Sequence, residues 1–140
     1  MKTNKNEHGD YELWLDEEHP NIIRLRAWGP WNLETAQHCT DDMLKNAALL
    51  KEHPWAFMED IREWELCTPE VSDLFIKCIS KMVTMNFKVR VVVASVEVQR
   101  FMIQKSIPDH QPVSTRFFTD LEGTIDWCCA ELEKSAQSLK

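Results

Sequence analysis

Four ionisable residues within five positions, Glu59, Asp60, Arg62 and Glu63, stand where a short apolar segment gives way to a polar one. Paired carboxylates at such a place are the residue types that general acid and base chemistry uses. Cys67 follows just ahead of Thr68-Pro69-Glu70, a helix start at which the helix dipole can lower a thiol pKa and make a nucleophile. Glu63, Glu65 and Glu70 surround that thiol and push the other way, so a packed or idle cysteine is the simpler reading. No phosphate-cradling glycine loop accompanies these residues, since the chain has three glycines, Gly9, Gly29 and Gly123. His38-Cys39 and Cys128-Cys129 lack the spacing of a metal site, because neighbours on a helix point about 100° apart. Neither a metal nor a cofactor is expected. Trp31 and Trp64, each among polar or turn residues, are expected to flank one groove with Asp60 and Thr68 and to meet a partner there.

These residues need a frame, and the pattern supplies one. Lys88 to Ser95 carries four valines, Val89, Val91, Val92 and Val93, and reads as a strand covered on both faces at the centre of a sheet. Tyr11 to Asp16 and Ile22 to Trp28 alternate as half-buried strands joined by a connection too short for a crossover, which predicts an antiparallel hairpin. Asn32 caps a helix from Leu33 to about Lys51, and Trp55 to Ile61 is a third strand with Asp60 near its carboxyl end. Arg62 to Cys67 reads as loop. From Thr68, the stripe Val71, Leu74, Phe75, Cys78, Ile79, Met82 and Val83 marks a second helix. A shorter helix over 96–107, a strand over 113–118 and a last helix with Thr119 and Glu122 as a capping box complete the order. In that helix Leu121, Ile125, Cys128 and Leu132 are expected to face inward. Strand, helix and strand repeat after the hairpin, so right-handed crossovers give a mixed five-stranded sheet with its first strand antiparallel and about four flanking helices.

Residues 1–10 read as a polar tail, and 11–140 as a single domain. The net charge of −7 disfavours nucleic acid and anionic membrane, both of which attract basic faces. No apolar run approaches the roughly 20 residues of a membrane helix, and Met1 to Asp10 has no apolar stretch of a secretion signal. A cytoplasmic setting is expected, in which five cysteines stay reduced. The hairpin leaves an edge strand to cover, so a homodimer is a further expectation.

The hairpin followed by alternating helices and strands, the strand end Met58-Glu59-Asp60-Ile61 before a capped helix, and the closing run Phe117-Phe118-Thr119-Asp120-Leu121-Glu122-Gly123-Thr124-Ile125-Asp126-Trp127 together resemble the SpoIIAA-like family, also called STAS/SEC14-type domains. The resemblance spans Tyr11 to about Leu132. It implies a bacterial α/β domain, non-catalytic and regulatory, that works by protein interaction. Regulators of this family switch partners when a serine at the start of the helix after the third strand is phosphorylated, in the motif Asp-Ser-Ser/Thr-Gly. Here Leu66-Cys67-Thr68-Pro69-Glu70 occupies that place, so Thr68 is the one candidate hydroxyl, and Glu65 and Glu70 would repel a phosphate. The expected binding residues are Trp31, Asp60, Glu63, Trp64, Cys67 and Thr68. Two other readings stand beside this one: a carrier of a small apolar ligand or lipid, as SEC14-type domains allow, and an enzyme using Asp60, Glu63 or Cys67.

Overall fold

A computed structural model describes residues 9–65, 67–95, 97, 103–105 and 113–137. Five strands lie in chain order: β1 (Asp10–Leu15), β2 (Ile22–Gly29), β3 (Trp55–Trp64), β4 (Phe87–Val93) and β5 (Ser114–Phe118). β1 pairs antiparallel with β2, and every later neighbour is parallel. Three helices are described: α1 (Leu33–Leu50), α2 (Pro69–Val83) and α3 (Thr124–Gln137). Most of the helix expected over 96–107 lies outside the described residues; of its few described members, Ile103 is buried in the core.

Strand order dictates where the helices go. From β2 onward each strand is laid beside the last in one direction, so right-handed crossovers place α1 and α2 on the same side of the sheet. Their stripes, Ala36, Cys39, Met43 and Ala47 on α1 and Val71, Phe75, Cys78, Ile79 and Met82 on α2, cover Ile23, Leu25, Phe57 and Val92. The last helix has no strand after it and takes the opposite side, where Cys128 and Leu132 cover Ile22, Met58, Val89, Val91 and Val93. The valines of β4 are buried on both faces for this reason. Yet β3, not β4, is the middle strand: burial on both faces follows from helices above and below, and the second strand from an edge can have both.

Three local features depart from the sequence pattern. Asp10 opens β1 rather than closing a tail, because Gly9 and Gly29, both at positive φ, let the two backbones meet; a Cβ on Gly9 would lie 2.2 Å from the Trp28 carbonyl oxygen. β3 runs to Trp64, three residues beyond its expected end, since Trp28 and Gly29 of β2 continue the ladder past a bulge. Leu121 is exposed, because Gly123 at positive φ delays the last helix to Thr124, whose hydroxyl donates back to the Leu121 carbonyl.

Candidate functional site

The bulge in β3 builds the site. Arg26 of β2 pairs with Asp60, but Trp28, two residues on, pairs with Glu63, three residues on, so one extra residue is inserted after Asp60. Alternation is broken there, and Arg62 folds back on Asp60. Its guanidinium donates Nε to Oδ1 at 2.9 Å and NH2 to Oδ2 at 2.8 Å, while its backbone N–H donates to Oδ1 at 3.2 Å. Burial alone would raise the Asp60 pKa; the hydrogen bonds from Arg62 outweigh it and hold the carboxyl below its ordinary value. Beside this pair, Arg26 donates to Glu63 at 2.7 Å and to Glu12 at 3.2 Å. Five carboxyl and guanidinium partners are thus linked at the carboxyl ends of the parallel strands, on the face that carries α3, and Ser95 after β4 adds a hydroxyl that donates to the Arg62 carbonyl. Open α/β sheets place ligands at this rim.

Glu59 leaves the group. Strand alternation turns it to the face beneath α1 and α2, where Arg90 of β4 meets it with Nε to Oε2 at 3.0 Å and NH2 to Oε1 at 3.1 Å. Both side chains are essentially sealed, 0 % and 1 % exposed. The signal for this pair was present in the sequence as one arginine in a run of valines, a residue that is seldom fully buried unless it has a partner.

The six expected binding residues divide between the two faces. Asp60 and Glu63 stand on the α3 face as described. Trp31 and Trp64 do not flank a groove: they are 4 % and 5 % exposed and form part of the core. Tyr11, Trp31, Trp64 and Phe75 make an edge-to-face aromatic chain with ring centroids 5.9, 5.6 and 6.3 Å apart, and the Trp31 indole donates to the Asp10 carbonyl at 3.1 Å. The large apolar area of an indole outweighs the polarity of its sequence neighbours. Cys67 is half-buried against the same core, and burial pushes its thiol pKa up, away from nucleophilic character. Thr68 is exposed and already employed, its hydroxyl capping α2 by accepting the Val71 N–H at 3.4 Å. The structure therefore brings Asp60 and Glu63 to one shared charged rim and sets Cys67 on the opposite side of the sheet. Arg26 and Glu12, which complete the rim, carry no local mark in the sequence beyond their places on the polar side of a strand.

The other thiols sit deeper. Burial pushes Cys78 and Cys128 up to about 12, and Cys39 also stands well above its ordinary value. Among the described residues no three histidine, cysteine, aspartate or glutamate side chains gather to hold a metal ion. A separate cleft of about 540 Å³ opens at the amino-terminal rim of the sheet, between α3 and two connecting loops, lined by His19, His53, Pro54, Cys129, Leu132 and Glu133. No helix among the described residues is long and apolar enough to cross a membrane.

One solved structure shares this architecture over nearly its whole length. It is an uncharacterized protein of the DUF3478 family, with a SpoIIAA-like fold, from Shewanella loihica PV-4; it is 18% identical, covers 92% of this chain and 99% of its own, and superposes with a TM-score of 0.70. The fold is SpoIIAA-like. No family model matches the sequence, and no curated protein matches it.

Proposed function

We propose that the chain is a non-catalytic regulatory module, STAS-like, that binds a protein partner through the charged rim of β3 and the exposed start of α2. The observation that carries this reading is the state of the rim's ionisable groups. Asp60 is fixed as an anion by two guanidinium bonds and Glu63 is paired with Arg26, while across the sheet the Cys67 thiol is raised and half-buried. Such groups offer fixed charge and hydrogen bonds in a rigid frame, as recognition requires, and not the proton exchange or nucleophile of an enzyme. Thr68 stands exposed beside Glu65 and Glu70, which would repel a phosphate there. A cytoplasmic, bacterial setting belongs to the same proposal.

A second reading, a small-ligand carrier, draws on the cleft at the opposite rim, whose volume lies within the usual range of ligand sites. Native mass spectrometry of the protein isolated from its own source separates the two. The partner reading expects a co-purifying polypeptide that is lost when Glu63→Lys and Arg26→Glu change the rim singly and is partly regained in the double variant. A retained small molecule with no polypeptide, displaced by Leu132→Trp in the cleft and untouched by the rim variants, would overturn it.

A further inference from the structure

Three pieces of chain meet at the cleft on the amino-terminal rim: the β1–β2 turn brings His19, the loop before β3 brings Pro54, and the later turns of α3 bring Cys129, Leu132, Glu133 and Ala136. The floor is apolar. Leu132 is 7 % exposed and belongs to the core on this face, and Cys129 packs against that core. The polar groups on the wall are acceptors. Asp16 is an anion held by Arg24 at 3.2 Å and by the backbone N–H groups of Glu18 and His19, so its oxygens can only accept. The 3.3 Å bond between Asp16 and the His19 ring therefore takes its proton from Nδ1, and the neutral ring keeps Nε2 as an acceptor. Glu133 is exposed and makes no hydrogen bond or ion pair with a described residue.

The charge around the cleft has one sign. Arg24 offsets Asp16, Lys51 stands beside Glu52, and Lys134 pairs with Glu131 at 2.8 Å. Glu17, Glu18, Asp126 and Glu133 remain without a cationic partner among the described residues. Cys129 registers this field: burial raises its thiol pKa, and Asp126, Asp16 and Glu133 raise it further.

We propose that this cleft binds a small organic cation, a protonated amine on a compact apolar body. The ammonium donates to the Glu133 carboxylate and to Nε2 of His19, and the body lies on Leu132, Cys129 and Pro54. A volume of about 540 Å³ takes such a molecule whole. An anion is repelled by the surrounding carboxylates, and a neutral molecule of the same shape leaves Glu133 with no charge to meet. The inference rests on the reading of this cleft as a ligand site, which it deepens by naming the class, and it leaves the β3 rim and its partner untouched.

Amide NMR titration of the chain with phenethylamine, at neutral pH and about 0.15 M salt, tests it, with phenethyl alcohol and phenylacetate as neutral and anionic versions of the same body. The expected result is a saturable shift of amides around His19, Cys129 and Glu133, with the amine at least about tenfold tighter than either comparison compound. Glu133→Gln should weaken the amine about tenfold and leave the alcohol within about twofold. Ala136→Lys, which sets a cation at an exposed position of the cleft wall, should weaken the amine in the same direction while every acceptor stays in place. Glu122→Gln removes the same charge in the loop before α3, at the opposite rim, and should leave the amine within about twofold of the parent. Alcohol or phenylacetate binding as tightly as the amine overturns the cationic class while the cleft stands as a ligand site. So does amine binding that is indifferent to both Glu133→Gln and Ala136→Lys, or that Glu122→Gln weakens as strongly. No saturable shift with any of the three compounds overturns both the class and the carrier reading of the cleft.

Discussion

Glu59 and Asp60 are adjacent carboxylates on one strand, each gripped by the two nitrogens of an arginine, and they differ in almost everything else. Glu59 reaches across to Arg90 on a neighbouring strand inside a dry core; Asp60 is held by Arg62, two residues along its own chain, at a half-open rim. The first pair ties two strands together beneath two helices, and removing either partner strands a charge where water cannot reach it. The second pair closes a local loop, and its loss leaves groups that solvent can still serve. One strand thus carries a buried ion pair and a rim ion pair on opposite faces, and the side of the sheet decides which is which.

The contrast can be broken in order of expected size. Glu59→Gln or Arg90→Met alone should cost about 3–5 kcal/mol in denaturant unfolding, and Glu59→Leu with Arg90→Leu together should recover most of it. A single substitution costing under about 1 kcal/mol would show the pair to be hydrated after all. Asp60→Asn should cost less, on the order of 1–2 kcal/mol at neutral pH, as the loss of a charged hydrogen-bonded partner.

Acid sharpens the same point. The Asp60 carboxyl, and that of Asp16 bonded to His19, Glu18 and Arg24 in the β1–β2 turn, are both lower in the folded chain than in the unfolded one. Their contribution is therefore full above the unfolded carboxylate value near 4 and drains away as pH falls through the lower folded values. Unfolding free energy measured from about pH 6 down to about pH 2 should fall, and Asp60→Asn should flatten that slope. An unchanged slope would separate Asp60 from acid stability. Smallest of all, Arg26→Ala or Glu63→Ala should shift stability by no more than about 0.5 kcal/mol, since both side chains are well exposed. A loss several times larger would move this pair into the structural class.

Much of the frame is legible from pattern alone. The antiparallel hairpin, the parallel strands after it, the Asn32 and Thr68 caps and the stripe from Val71 to Met82 follow from periodicity and turn chemistry. The rim is legible only in part. Asp60 and Glu63 stand out as charges at a strand end, but their partners Arg62 and Arg26 are assigned by a bulge and by register, and neither leaves a trace in local composition. Trp31 and Trp64 mislead for the opposite reason: their neighbours are polar, while their own rings are placed by Tyr11 and Phe75, distant in sequence and adjacent in space. Gly123 hides the true start of α3 behind a plausible capping pattern at Thr119 and Glu122.

The order of the sheet bears on how the chain is made. Because each strand from β2 onward docks on the one completed before it, no position is held open for a segment still to come. Every pairing therefore joins strands that are consecutive in the chain, which limits the loop entropy that each closure costs. On the ribosome such a chain can consolidate from its amino end as it emerges, with β1 and the newest strand as its two edges at any moment.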